Sequence, residues 1–437
     1  MKIAVIGIGY VGLTLACLAD FGNELVFVGR TKSKAEMVNS GKSPIYEPRL
    51  DEVIERNVKR GSIKATTDYE NAMDSELVFI CVGTPSQTDG SIDLSQIKDA
   101  SRKVGGILKE SDYKTIVVKS TVVPGTTKNV VKKEIESSSS KVAGTEFGLC
   151  MNPEFLKEGS SVQDFLKPDK VVVGQYDEKS GSAPIELYKF YDNNVPRIIT
   201  DLNTAEMIKY AQNAALASRI SFINEIANIC EKFNVDVKEI ASAIGLDSRI
   251  GSKFLNAGVG FGGSCFPKDV KALLAAAKSV GAEPTMLKAI LDVNARQPYR
   301  MIELAKQTLG NLEGKKIAIL GLAFKDNTDD MREASSIPII NSLLKEKAIV
   351  KVYDPQAVEN AKKIFGETVE YCSTKEECIK GADLCMVVTE WKEFKEMDLS
   401  IIKCPIIDGR RILDSNKVLE FGMPYKGIGW KENLPQI

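Results

Sequence analysis

The stretch GFGGSCFPKD, residues 260–269, sets Cys265 among glycines and directly before Pro267, Lys268 and Asp269. The following VKALLAAAKSVG carries apolar residues at helical spacing, so the pattern predicts a helix starting near Pro267, with Cys265 at its N-terminus. There the helix dipole and the Lys268 ammonium would both favour thiolate over thiol, and the glycines would leave room for a substrate. Such a thiol is a nucleophile; the plainer alternative is a small packing residue beside a tight turn.

Further residues have types and spacings suited to chemistry. Gly7, Gly9 and Gly12 form G-x-G-x-x-G after the apolar run KIAVI. In that context the loop cradles a dinucleotide pyrophosphate at a helix N-terminus. VGTP (82–85) and STVVPGTT (120–127) put Thr84, Ser120 and Thr121 past the ends of two strands, where open sheets bind ligands; capping the next helix is the alternative. NPEFLKEG (152–159) holds Glu154 and Glu158 four residues apart, on one face if the segment is a helical turn begun by Asn152 or Pro153. Lys209 and Asn213, also four apart, stand with Glu206 on an otherwise apolar helix, where the lysine would serve an ion pair or stabilise a developing anion.

Three regions must position these groups. The first alternates KIAVIG, ELVFVG, LVFICVG, TIVVKST and KVVVG with helical patterns, the signature of a parallel α/β sheet. From Asn203 to Phe233 the pattern becomes one long helix, followed by shorter ones to Leu309, a helical middle domain whose long helix suits a subunit interface. KKIAILG, IVKVYD, LCMVVTE and CPIIDG then mark a second α/β unit, whose GLAFK makes a poor cofactor loop. The serine run 137–140 reads as a surface loop.

Composition narrows the partners. The chain has 437 residues, net charge −1, nine cysteines and no histidine. No basic stripe points to nucleic acid or an anionic membrane, so a small molecule is expected. The scattered, odd cysteines suggest neither a disulfide framework nor a metal site, and fit a reducing cytoplasm. MKIAVIGIGYVGLTLACLADFG passes for a secretion signal by hydropathy, but its glycines interrupt the apolar run, and it reads as strand, turn and helix.

GIGYVG, GKSPIYEP, VGTP, STVVPGTT, NPEFLKEG, AEMIKYAQN, GFGGSCFPKD, GLAFKDNTDDMREAS, YDP and DGRR occur in one order that resembles the nucleotide-sugar 6-dehydrogenases over nearly the whole chain. The resemblance implies an N-terminal Rossmann domain binding NAD(P) (residues 1–200), a helical dimerisation domain (201–310) and a C-terminal α/β, Rossmann-like UDP-sugar-binding domain (311–437). It also implies a cytoplasmic homodimer that oxidises UDP-glucose to UDP-glucuronate through a thiohemiacetal and a thioester. GDP-mannose or N-acetylated UDP sugars are the rival substrates, and a cysteine redox sensor that binds the cofactor is the rival class.

By the same resemblance Cys265 is the nucleophile, Lys209 stabilises oxyanions and Asn213 assists. Asp269 and Thr121 hold the water that accepts the first proton, and Glu154 and Glu158 serve thioester hydrolysis. Around the substrate it sets Glu154, Phe155, Leu156 and Lys157, then Phe254, Leu255, Gly260, Phe261 and Gly262, with Lys209, Asn213, Cys265 and Phe266. Phe324, Lys325 and Arg410 complete that group. Around the cofactor it sets Tyr10 and Val11 with the three glycines, then Val82, Gly83, Thr84, Ser120 and Thr121, with Glu158, Lys268 and Arg332.

The chain departs from the family at the end of its second strand. Gly29 stands where most relatives have an acidic residue that would bind the adenosine ribose of NAD. Arg30, Thr31, Lys32 and Lys34 follow, and this basic turn points to NADP; an exposed turn without cofactor contact is the alternative.

Overall fold

The computed structural model describes residues 1–431. It divides into two units, Met1–Gln212 and Asn213–Ile437.

The first unit is built on eight strands: β1 (Lys2–Ile6), β2 (Glu24–Val28), β3 (Ile63–Thr66), β4 (Leu77–Ile80), β5 (Thr115–Val118), β6 (Gly148–Met151), β7 (Val171–Gln175) and β8 (Arg197–Asp201). Their order is β3-β2-β1-β4-β5-β6-β7-β8. The first six strands are parallel, a doubly wound arrangement with its switch between β1 and β4, where such sheets bind ligands. Only β6 and β7 pair antiparallel, a departure from the all-parallel expectation. β4, β5 and β6 are buried along their whole length, which explains their continuous apolar runs.

The second unit repeats the plan with β9 (Lys316–Leu320), β10 (Ile349–Tyr353), β11 (Glu370–Tyr371), β12 (Leu384–Val387), β13 (Ile406–Asp408) and β14 (Tyr425–Gly427). The order is β11-β10-β9-β12-β13-β14, all parallel. In both units the residue after the first strand is a glycine whose N–H donates to the last carbonyl of the second strand, Gly7 to Val28 and Gly321 to Tyr353, each at 2.8 Å. Asp354 therefore holds in the second unit the place that Gly29 holds in the first. Its buried carboxylate turns back onto the loop after β9, with Oδ2 accepting from Leu322 N (2.7 Å), Ala323 N (3.1 Å) and Trp391 Nε1 (3.0 Å).

The long helix spans Leu202–Phe233, beginning in the first unit and ending in the second. The helices Val237–Gly245, Phe266–Ser279, Thr285–Arg296 and Arg300–Leu309 follow it. No helix among the described residues is long and apolar enough to cross a membrane.

Two local expectations are corrected. The serine run is not a loop: Ser137 to Ser139 form the last turn of the helix Lys132–Ser139. Ser138 and Ser139 donate their hydroxyls back to Glu134 O and Ile135 O (2.7 Å each), which keeps them inside the helix, and Ser140 ends it at φ +60°. NPEFLKEG is not a helical turn either, since 152–157 are irregular and the next helix begins only at Ser161. Pro153 lacks an N–H, and the Leu156 N–H is taken by the Glu154 carboxylate at 2.6 Å, so Glu154 and Glu158 share no helical face.

Candidate active site

The first unit carries a cleft of about 210 Å³ at the carboxyl ends of β1, β2 and β4. Gly7, Gly9, Gly29, Arg30, Thr31, Lys34, Val82 and Gly83 line it, as expected of a cofactor site. Tyr69, Gln96 and Asp99 line it too, and no motif had marked them. The glycines fit a dinucleotide. Gly7 has φ +122°, and a Cβ there would lie 2.6 Å from Cys81 O, whereas around Gly9 a Cβ would meet nothing within 4 Å, the open space a pyrophosphate needs. At the adenosine end a Cβ on Gly29 would lie 2.6 Å from Ile8 Cδ1 and 2.9 Å from Cγ1, so Ile8 fills the room of a residue-29 side chain. Arg30 donates from Nη2 to Gln96 Oε1 at 3.0 Å across the cleft.

Other expected cofactor groups lie outside this lining and hold the scaffold together. The Thr84 hydroxyl donates to Thr121 O (2.9 Å) and the Ser120 hydroxyl to Val82 O (2.7 Å), lacing VGTP to STVV. Tyr10 donates to Tyr46 O at 2.6 Å. The next residue, Glu47, accepts from Gly159 N and Ser161 N (2.8 Å each) and fastens the end of NPEFLKEG. Glu206 acts similarly on STVVPGTT, accepting from Gly125 N (2.6 Å) and Thr127 N (2.8 Å). Burial pushes the Glu206 carboxyl up to about 7. Sequence reasoning missed both tethers, because each joins segments about eighty or more residues apart.

The chemistry-bearing pair of this unit is Lys209 with Glu154, Nζ to Oε1 at 2.9 Å and almost wholly buried. Burial pushes the Glu154 carboxyl up, but the Lys209 charge and hydrogen bond, the Leu156 N–H and the Lys119 charge together hold it below its ordinary value. Phe155 lies under both Lys170 (4.2 Å from Nζ to the ring centre) and Lys209 (5.6 Å). Lys157 pairs with Asp164 at 2.8 Å, and Glu158 sits half-buried in the turn that follows.

In the second unit Cys265 is the N-cap of the helix Phe266–Ser279, which starts one residue before the expected Pro267. The other eight cysteines are buried, whereas Cys265 is partly exposed. Asp269, one turn into the helix, accepts from Asn213 Nδ2 at 2.6 Å and pairs with Lys268. The loop before Cys265 is fixed from outside. Asn224 Oδ1 accepts from Gly258 N (2.8 Å), and Asn294 Oδ1 and Nδ2 engage the N–H and carbonyl of Phe261 (2.8 and 2.9 Å). Phe254 sits at φ +63°, and Gly262 and Gly263 press against Glu333 O and the Phe324 ring, closer than a Cβ would allow. The Phe266 ring packs on Phe254 and Phe261.

Arg410 donates to Val388 O (2.8 Å), Gly260 O (3.3 Å) and Phe324 O (3.2 Å), binding three segments at once. With Leu255, Lys238, Lys395 and Arg411 it lines a cavity of about 460 Å³. Arg332 holds Asp330 in a fork and offers its carbonyl to Gly263 N at 2.8 Å. Lys325 Nζ stands 5.6 Å from the Phe324 ring centre.

Comparison with known proteins places this geometry. Family models described as the NAD binding, central and UDP binding domains of the UDP-glucose/GDP-mannose dehydrogenase family match residues 1–192, 203–296 and 318–419. UDP-glucose 6-dehydrogenase AglM of Haloferax volcanii is 43% identical over 429 residues, covering 96% of this chain and 99% of that protein. UDP-glucose 6-dehydrogenase TuaD of Bacillus subtilis is 42% identical over 435 residues, 98% of this chain and 93% of that one. The solved UDP-glucose dehydrogenase of Pyrobaculum islandicum superposes with a TM-score of 0.93 at 36% identity, covering 98% of each chain. The chain is thus an oxidoreductase with a nicotinamide cofactor and a UDP-sugar substrate, and it belongs to the UDP-glucose/GDP-mannose dehydrogenase family.

Proposed function

We propose that this protein oxidises UDP-glucose to UDP-glucuronate in two steps on one cysteine. The observation that carries the reading is Cys265 itself, the one cysteine of nine that is not buried, at the mouth of a helix among glycines. The names of the relatives above support glucose as the sugar.

A nicotinamide cofactor held at the Gly7–Gly12 loop would supply the hydride acceptor for each oxidation. The first oxidation turns the sugar CH2OH into an aldehyde, which cannot lose a second hydride until a nucleophile adds to it. Cys265 sulfur forms the C–S bond, giving a thiohemiacetal whose carbon then loses hydride to become a thioester. Water cleaves the C–S bond, releasing carboxylate and returning the thiol.

Lys209 stabilises the oxyanions of these steps; its burial with Glu154 supports this, since a water-poor site strengthens such contacts. Asn213 assists Lys209. Asp269, engaged by Asn213 and Lys268, holds with Thr121 the water that takes the first proton. Glu154 and Glu158 serve hydrolysis. The substrate rests on Phe155–Lys157, on the loop Phe254–Gly262, and on Phe266, Phe324, Lys325 and Arg410, the last two suiting a diphosphate by charge.

In this reading the enzyme uses NADP at least as well as NAD. No carboxylate stands at Gly29, and Arg30, Thr31 and Lys34 line the cleft with donors and positive charge. Val11, Gly12, Thr84, Ser120, Lys268 and Arg332 complete the cofactor contacts in this reading. In this reading three functional parts, 1–200, 201–310 and 311–437, run across the two compact units, and the protein dimerises through the long helix, along which Phe222, Ile229 and Phe233 are 51%, 48% and 76% exposed.

The test is stoichiometric. The wild type makes two reduced nicotinamides per UDP-glucuronate; Cys265→Ser stalls after one hydride and releases no UDP-glucuronate, because an alkoxide adds and leaves poorly. Full turnover by the serine variant overturns the covalent mechanism.

A further inference from the structure

Lys119, the residue after β5, is a charged side chain with 5% of its surface exposed. Its Nζ donates to Asn152 Oδ1 at 2.9 Å and lies 3.4 Å from Asn152 O. Asn152 opens the NPEFLKEG segment and is itself held on every polar atom of its side chain: Tyr188 OH donates to Oδ1 (2.7 Å), and Nδ2 donates to Val172 O (2.7 Å). A lysine is a costly way to hold an amide, because an unneutralised buried ammonium is strongly penalised. The Glu154 carboxylate, two residues beyond Asn152, interacts with both Lys119 and Lys209 and offsets part of that penalty.

We propose that Lys119 is a positioning residue for Glu154, clamping Asn152 at the root of the segment and adding a second positive charge to the Lys209–Glu154 pair. The inference rests on the reaction proposed above. With Lys119 charged, Glu154 is balanced by two cations, and the Lys209 ammonium keeps attraction to spare for an oxyanion. With Lys119 neutral, Glu154 draws on Lys209 alone, and oxyanion stabilisation weakens while ground-state binding of the sugar is little changed.

Hydrogen bond and charge are separable here. Burial pushes the Lys119 ammonium down to about 8. Above that pH the neutral amine can still donate to Asn152, so only the charge is lost. The other groups that face it are the Cys81 thiol at the end of β4, the Tyr188 phenol, Glu154 and Lys209. Burial pushes Cys81 up to about 12 and Tyr188 well above its ordinary value, so neither ionises in this window.

The experiment compares wild type with Lys119→Gln, which is neutral at every pH but still able to donate to Asn152. Wild-type kcat falls as pH rises through about 8. The glutamine variant has a kcat lowered about tenfold at pH 7, a KM within about threefold of wild type, and no fall in that window. A folded glutamine variant with wild-type kcat, or with the same alkaline fall, overturns the inference. Should it fail to fold, Asn152→Asp decides: a carboxylate beside Lys119 raises the ammonium's pKa and moves the fall to higher pH, and an unmoved fall overturns the inference. An inactive wild type would instead overturn the proposed reaction.

Discussion

Cofactor choice can be tested at one pair of side chains. Non-bonded carbons settle at about 3.5–4.0 Å, so a Cβ on Gly29, at 2.6 Å from Ile8 Cδ1 and 2.9 Å from Cγ1, intrudes by about 1 Å. Rotating the end of Ile8 clears Cδ1 but not Cγ1, which moves only with the stiff χ1 of a β-branched residue. Ile8 is also 7% exposed and has little room to retreat. Such overpacking costs about 1–3 kcal/mol, roughly five- to 150-fold if it falls on cofactor binding. Gly29→Asp alone should therefore bind both cofactors poorly. Ile8→Ala with Gly29→Asp should recover binding and prefer NAD, since the carboxylate then meets the ribose hydroxyls and repels a 2′-phosphate. The assay is kcat/KM for NAD and NADP in wild type, both single variants and the double variant, with a coupling energy of the same 1–3 kcal/mol, roughly, expected between the sites. A single Gly29→Asp variant whose kcat/KM for NAD equals that of the double variant refutes the steric argument. A wild type that strongly prefers NAD, unchanged in Arg30→Ala, refutes the NADP reading.

Two further outcomes follow from groups outside the chemistry. Glu206 is raised from an ordinary 4.5 to about 7, so the extra proton it holds in the native state stabilises the fold fully below about 4.5, and that contribution is lost as pH rises through about 7. The stability difference between wild type and Glu206→Gln in denaturant titrations should shrink over this window, and a constant difference would show that Glu206 does not titrate there. Ile229→Asp with Phe233→Asp should shift the protein from dimer to monomer in sedimentation equilibrium at micromolar concentration, whereas an unchanged mass would place any dimer interface elsewhere.

What the sequence disclosed was local. β1 with its glycines, the helix from Leu202 to Phe233 and the helix start at Phe266, capped by Cys265, all follow from patterns within a few residues, and each emerged within one residue of its expected place. β8 was hidden because RIITD is half-exposed and lacks an apolar alternation, and β11 and β14 because they are only two and three residues long. NPEFLKEG misled for a different reason. Its helical spacing was genuine, but Lys119, Val172 and Tyr188 hold Asn152, and Glu47 holds Gly159 and Ser161. Ile8 behind Gly29 was equally invisible, since neither residue alone announces that the two compete for one volume.

The carboxylate of Asp354 has a consequence for the order of events. By occupying the backbone N–H groups of Leu322 and Ala323, it supplies from within the chain the anion that a dinucleotide would bring to that loop, so the second sheet keeps the plan of a dinucleotide-binding fold with those two amides already taken. Two such sheets therefore furnish a single nicotinamide berth per chain among the described residues. In the reaction proposed above both hydrides of one sugar would leave through that berth, and a bond from Cys265 to the half-oxidised carbon would hold the sugar in place between the two transfers.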